Sequence, residues 1–215
     1  MKTFVKLSGV TDPDSVRLAP EGGAIGFLVG VPGAVRNLEP SRAAELVTSA
    51  PAGAEVWAVT RSPTPELIHQ LFDEVGVDRV QVYGAIPEGL EFLEIHHLVP
   101  SLALPPTGTT GPEPAIPPAE DYSRLHLDAA GDPVADASGT RADWEMAARI
   151  VDLQPGRKLT LAGGLTAENV AEALAAVRPW GVDVGSGVEA SPGTLDPAKV
   201  AAFLAAVEQL ESGSG

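Results

Sequence analysis

Residues 158–187 read KLTLAGGLTAENVAEALAAVRPWGVDVGSG, and this stretch sets the pattern for the rest of the chain. Two short runs of alternating apolar residues, 158–162 and 181–185, predict β-strands, and the segment between them predicts a helix over 167–178. Both runs are followed by glycine, which is typical of a chain that turns as it leaves a strand. A strand, a helix and another strand in this order indicate a parallel α/β unit.

The same alternation recurs along all 215 residues. It predicts further strands at 3–8, 23–29, 54–60, 79–83, 95–103 and 124–128. It also predicts helices at 13–19, 41–49, 65–75, 141–152 and 197–210. Eight strands alternating with helices favour an α/β fold of the single (β/α)₈ TIM-barrel type, with the barrel domain at 1–210. An open doubly wound sheet is the rival, but the first turn, SGVTDPD, has no G-x-G-x-x-G motif.

Two segments depart from this alternation. Residues 105–120, PPTGTTGPEPAIPPAE, contain six prolines, so we expect a loop in place of the fifth barrel helix. Whether this loop covers the site is left open. Residues 211–215, ESGSG, are expected to form a flexible tail.

Charge and cysteine content exclude several classes of function. The 14 Lys and Arg residues against 29 Asp and Glu give a net charge of −15, which disfavours binding to nucleic acid or to an anionic membrane surface. The absence of cysteine removes disulfides and thiol catalysis. No apolar stretch approaches the roughly 18 residues of a membrane span, and we expect a cytoplasmic protein.

Catalytic side chains of such a barrel lie at the carboxyl ends of its strands. Asp128 ends the strand RLHLD and is a candidate general acid, with a loop carboxylate as the alternative. Lys6 and Ser8 share one face of the first strand and point toward the same mouth. Arg36, in the loop after the second strand, can bind a carboxylate through bidentate hydrogen bonds.

Glycines follow both of the last two predicted strands. Gly163 and Gly164 come after the seventh strand, and Gly185, Ser186 and Gly187 come after the eighth. Glycine lets the backbone approach a ligand closely, so these N–H groups form a candidate phosphate site that needs no lysine. Two tight turns are the alternative reading.

These residues lie in stretches that resemble the phosphoribosylanthranilate isomerase family of tryptophan biosynthesis. The matching stretches are VKLSGVTDPDSV at the start, GAIGFLV, RVQVYG, HLDAAG, LAGGLTAENVAEAL and VRPWGVDVGSGVEASPGTLDPAKVAAFL. The last two are the most specific. Together they cover essentially the whole chain.

The resemblance implies an Amadori rearrangement of N-(5'-phosphoribosyl)anthranilate to a 1-deoxyribulose 5-phosphate product, without a metal or an organic cofactor. It implies that Asp128 is the general acid and that Arg36 binds the substrate carboxylate. The resemblance also implies that the substrate phosphate is bound by the backbone of Gly163, Gly164, Gly185, Ser186 and Gly187. Lys6, Tyr83 and Asp183 are expected to line the phosphoribosyl site. The partner is a small molecule, and the protein is expected to be a monomer or a homodimer.

Two positions depart from the family pattern. The family's catalytic base is a cysteine in K-x-CG-x-T, where this chain has Ser8, and its Q-x-HG motif has histidine where this chain has Tyr83. A serine hydroxyl accepts a proton far less readily than a thiolate does. An active isomerase that uses Ser8, a divergent paralogue that acts on or binds another phosphorylated sugar, and an inactive Cys-to-Ser form therefore remain as alternatives.

Overall fold

Eight parallel strands close into a ring at the centre of the molecule. The computed structural model describes residues 2–109, 111–129 and 141–213. The barrel strands, numbered first to eighth below, are Phe4–Ser8, Ala24–Val29, Glu55–Arg61, Arg79–Tyr83, Leu98–Ala103, Arg124–Asp128, Lys158–Leu161 and Gly181–Val184.

The first strand closes the ring because it pairs on both sides. Lys6 is the register partner of Ala24 on the second strand and of Asp183 on the eighth. Three short strands of the described residues lie outside the ring: Asn37–Leu38 extends the sheet beside the second strand, and Glu189–Ser191 pairs antiparallel with Thr194–Leu195. The predicted (β/α)₈ barrel is thereby confirmed, and the doubly wound alternative is wrong.

Helices cover the outside of the ring. They are Pro13–Val16, Pro40–Val47, Pro65–Gln70, Phe92–His97, Trp144–Leu153, Val170–Val177 and Pro197–Gly213. The predicted helix 65–75 begins as expected, where Thr64 accepts a hydrogen bond from the Leu67 N–H, but its last turn, Leu71–Val75, is a π-helix. The last helix continues to Gly213 and takes in part of the expected tail, whose final two residues lie outside the described residues.

The predicted strand 95–103 is wrong in its first three residues. Residues 95–97 end the helix Phe92–His97, and the strand begins only at Leu98, which is the register partner of Val80. A short run of mixed apolar and polar residues does not distinguish a strand from a helix by its periodicity. His96 and His97 consequently lie at the end of this helix.

The proline-rich segment is a loop, as expected. No helix is found between Ala103 and Arg124 among the described residues, which do not include Thr110. Arg157 holds the end of the loop by donating to the carbonyls of Pro117 at 2.8 Å and Tyr122 at 2.7 Å.

Aromatic rings and an arginine fill the end of the barrel opposite the mouth. Trp57 is fully buried beside Phe4, and Phe4 stacks on Trp180 with ring centroids 4.4 Å apart. The Arg124 guanidinium lies 4.9 Å from the Trp180 ring centroid and donates twice, at 2.8 Å, to the carboxylate of Glu55. We call these five residues the barrel floor. Within the described residues, no helix is long and apolar enough to cross a membrane.

Candidate active site

Ser8 and Asp183 meet where the first and eighth strands end. The Ser8 hydroxyl donates to Asp183 Oδ1 at 2.6 Å. Ser8 is partly exposed at the mouth, whereas Asp183 is buried beneath it. A carboxylate only accepts hydrogen bonds, so the direction of this bond is fixed.

Lys6 lies one layer deeper than the sequence analysis placed it. It is fully buried, and its ammonium group donates to Gln81 Oε1 at 2.9 Å, to Asp183 Oδ2 at 2.7 Å and to the Ser8 hydroxyl. Three donors with three partners satisfy this charge inside the barrel. Gly26 makes the room, because a Cβ there would come within 3.0 Å of Lys6 Cε and 3.1 Å of Ser8 Oγ.

Asp183 is held as a carboxylate. Burial by itself raises the pKa of Asp183, but the charge of Lys6 and a hydrogen bond from His126 outweigh burial, and the net pKa lies well below the ordinary value. His126 Nε2 is 3.0 Å from Asp183 Oδ2, which assigns the ring proton to that nitrogen. Among the described contacts, the His126 ring therefore faces the carboxylate of Asp183 and not that of Asp128.

Asp128 has a different partner. Tyr83, buried on the fourth strand, donates its hydroxyl to Asp128 Oδ2 at 2.7 Å. Burial raises the pKa of Tyr83 well above 10, and the neighbouring Asp128 charge raises it further, so the phenol stays protonated. Asp128 Oδ1 faces the turn after the seventh strand, where a Cβ on Gly163 would lie 3.3 Å from it.

A chain of polar side chains joins these two ends of the mouth. His126 Nδ1 lies 3.1 Å from Gln81 Nε2 and 3.4 Å from Ser101 Oγ. Ser101 is also within hydrogen-bonding reach of Tyr83, which in turn contacts Asp128. The arrangement places one acid–base pair on each side of a single opening.

Arg36 reaches the mouth in a fixed orientation. Its Nε and Nη2 donate at 2.6 Å each to the two oxygens of Glu189, and both side chains are largely buried. The Arg36 side chain passes over Gly9, where a Cβ would come within 2.7 Å of Arg36 Cδ. Gly9 has a φ of 78°, a conformation that favours glycine.

The two glycine clusters border the same opening. Gly163 and Gly164 have φ values of 93° and 64° in the turn after the seventh strand. Ser186–Val188 forms a single 3₁₀ turn after the eighth strand, and a Cβ on Gly187 would lie 2.0 Å from the Leu165 carbonyl oxygen. These contacts bring the two turns against each other, with Gly185 between Asp183 and Ser186.

All the predicted site residues therefore border one mouth or lie directly beneath it. The predicted site did not include Gln81, Ser101, His126 or Glu189. Glu189 stands inside the conspicuous SGVE segment, which follows a strand, and this position was a usable signal. Ser101 lies inside the predicted fifth strand, but only its register with the sixth strand, where it is the partner of His126, brings it to the site.

A carboxyl and a hydroxyl group are paired on each side of this mouth, and glycine turns border it. This arrangement is typical of an acid–base enzyme of the (β/α)₈-barrel class. The profile of the N-(5'-phosphoribosyl)anthranilate (PRA) isomerase family matches residues 5–206. The chain belongs to this family.

Individual relatives agree along the full length. N-(5'-phosphoribosyl)anthranilate isomerase of Bordetella petrii is 35% identical, with 98% of this chain and 97% of the relative covered. The enzyme of Rhodospirillum rubrum is 36% identical, with 97% and 99% covered.

Solved structures agree as well. The phosphoribosyl anthranilate isomerase of Thermus thermophilus superimposes with a TM-score of 0.75 at 27% identity, covering 97% of this chain and 100% of that one. Another structure, a complex with reduced 1-(o-carboxyphenylamino)-1-deoxyribulose 5-phosphate, has a TM-score of 0.72 at 25% identity, covering 96% and 99%.

Proposed function

We propose that this chain catalyses the isomerisation of N-(5'-phosphoribosyl)anthranilate to 1-(o-carboxyphenylamino)-1-deoxyribulose 5-phosphate. The observation that carries this proposal is the pairing of Ser8 with Asp183 and of Tyr83 with Asp128 on opposite sides of one mouth. An aldose-to-ketose rearrangement needs a proton delivered at one carbon–oxygen bond and removed from the adjacent carbon. Two separate proton-handling groups meet that need.

Asp128 supplies the proton that opens the furanose ring. Asp128 Oδ1 faces the turn at Gly163, and Tyr83 donates to the other oxygen, so Oδ1 is the oxygen that delivers the proton to the substrate. Protonation of the ring oxygen breaks the C1'–O bond, and the nitrogen lone pair forms an iminium at C1'. Loss of the C2' proton on the Ser8 side then gives an enolamine, which tautomerises to the ketone.

The remaining site residues hold the two ends of the substrate. Arg36, aligned by Glu189, faces the carboxylate of the anthranilate ring. The backbone of Gly163, Gly164, Gly185, Ser186 and Gly187 binds the phosphate. Lys6 lies beneath the sugar and acts through Ser8 and Asp183, because its own donors are engaged there. The relative crystallised with a carboxyphenylamino sugar phosphate supports this division, since that ligand carries both anionic groups.

The direct test is the loss of fluorescence of freshly generated phosphoribosylanthranilate, with this protein and its Ser8→Cys variant assayed side by side. We expect turnover above the uncatalysed rate in the parent and faster turnover in the variant. Activity in the variant alone would identify an inactive Cys-to-Ser form. No turnover with either protein would overturn the proposed function and point to another phosphorylated sugar.

A further inference from the structure

At neutral pH, the Ser8 hydroxyl can accept the C2' proton only if a second group takes the hydroxyl's own proton. At neutral pH an alcohol is a poor base, because its pKa lies far above the value of about 8.5 for a thiol and almost no alkoxide is present. The usual remedy is an adjacent base that takes the hydroxyl proton as the oxygen attacks. Around Ser8, the structure holds one carboxylate in that position.

That carboxylate belongs to Asp183. The Ser8 hydroxyl points its proton at Asp183 Oδ1 across 2.6 Å, well within the range for proton transfer along a hydrogen bond. The two residues lie on adjacent strands of the barrel, and the buried position of Asp183 protects the contact from water. Backbone register fixes both ends of the pair.

Lys6 completes the arrangement from below. Its ammonium group donates both to the Ser8 hydroxyl and to Asp183 Oδ2. The positive charge of Lys6 beside the Ser8 oxygen stabilises the negative charge that develops on that oxygen as the hydroxyl proton departs. His126 holds the same Asp183 oxygen as Lys6 does, which leaves Oδ1 directed at Ser8.

We propose that Asp183 is the terminal proton acceptor of the isomerisation and that Ser8 relays the proton to it. This inference rests on the proposed function. In the step, the C2'–H bond breaks and its electron pair forms the C1'–C2' double bond, while the iminium nitrogen receives the former C=N pair. The C2' proton passes to Ser8 Oγ, and the Ser8 hydroxyl proton passes to Asp183 Oδ1. No oxidant or reductant is required.

The stabilised carboxylate makes the relay slower than a thiolate would be. Lys6 and His126 lower the pKa of Asp183 despite its burial, so transfer of a proton to it is uphill. We expect Ser8→Cys to be faster because the variant does not need this uphill transfer of a proton to Asp183. A thiolate at position 8 takes the proton itself and does not pass it on.

A double-mutant cycle tests the relay. Asp183→Asn should lower kcat of the parent by about 100-fold or more, the size of a general-base contribution. In the Ser8→Cys background the same change should cost at least tenfold less. Lys6 loses its counter-charge in both backgrounds, so structural damage cancels in the comparison. Equal losses in the two backgrounds would overturn the inference and leave Asp183 as a structural or substrate-binding residue.

The matched control is Asp152→Asn, which removes an exposed carboxylate paired with Arg178 on the outer surface. It should leave kcat unchanged in both backgrounds. No turnover in either the parent or Ser8→Cys would count against the isomerase function itself, which is a separate outcome from equal losses.

A solvent isotope effect on the unaltered protein avoids any question of folding. Deuterium at C2' of the substrate makes proton abstraction limiting, and the effect of deuterated water on that step is then measured. The relay moves one exchangeable proton in that step and predicts that the parent is slower in deuterated water. The Ser8→Cys variant transfers no such proton in that step, so its slowing should be smaller. Absence of the effect in the parent would overturn the relay.

Discussion

Lys6 and Asp183 are register partners on the first and last strands of the barrel, and their side chains form a 2.7 Å ion pair across the seam where the sheet closes. Both groups are buried, so each depends on the other for its charge. The same pair that closes the ring also supports the hydroxyl of Ser8. We therefore expect stability and catalysis to be coupled at this position.

The stability of the protein should fall in acid through Asp183. Its folded-state pKa lies below the unfolded value of about 3.9, so the contribution is present above about pH 5 and is lost as the pH falls below about 4. Urea unfolding of the parent and of Asp183→Asn between pH 7 and pH 3 measures this. The difference between the two free energies of unfolding should shrink as the pH falls. A difference that stays constant would contradict the assignment.

Tyr83→Phe should impair the acid without unfolding the barrel. The change removes the hydroxyl that orients Asp128, and we expect kcat to fall about tenfold, the equivalent of 1.4 kcal/mol. The free energy of unfolding should fall by about 1 kcal/mol. Tyr122→Phe is the control, because Tyr122 precedes the sixth strand at the opposite end of the barrel. Unchanged kinetics in Tyr83→Phe would exclude a role for the phenol.

Glu189→Gln should act on substrate binding. Glutamine keeps one acceptor oxygen but loses the charge and the second acceptor, so Arg36 is no longer held at two points and can turn. We expect KM to rise about fivefold to tenfold with a smaller change in kcat. Steady-state kinetics with phosphoribosylanthranilate give both values. Glu45→Gln breaks an exposed pair with Arg42 and serves as the control, with KM unchanged. If kcat alone fell, Arg36 would be acting in the chemical step.

Gly163→Ala should weaken phosphate binding beyond the strain that it introduces. A Cβ at Gly163 would lie 2.8 Å from the Ala129 Cβ, whereas one at Gly156 would meet nothing within 4 Å. Both glycines have a similar φ, 93° and 87°, so Gly156→Ala carries the same backbone cost, about 1 kcal/mol or more. Thermal stabilisation by inorganic phosphate should be lost only in Gly163→Ala. Equal stabilisation in both variants would remove Gly163 from the phosphate site.

The sequence predicts the ring of strands well because each strand carries its own signal. Buried runs such as AIGFLV and RVQVY are bounded by glycine or polar residues, and the barrel strands lie within about two residues of the predicted ones, apart from the start of the fifth. The fifth strand fails because IHH continues into LVPSLA without a break. Only the pairing of Leu98 with Val80 decides where that strand begins.

The site is predicted residue by residue but not as a network. Asp128, Ser8 and Arg36 are recognisable from their places after strands. The contact between Ser8 and Asp183 joins residues 175 positions apart in the sequence, so it appears only when the ring closes. Glu189 is invisible as a partner of Arg36 for the same reason, since their separation is 153 positions.

The barrel floor occupies the lower end of the barrel. Because Arg124, Trp57 and Phe4 fill that end, we expect substrate and product to pass through the rim above Ser8 and Asp128. The floor can stay constant while the rim is rebuilt for a new ligand. In protein design, the lower half of this barrel can therefore serve as a fixed scaffold, and the loops of the upper half are the part to change.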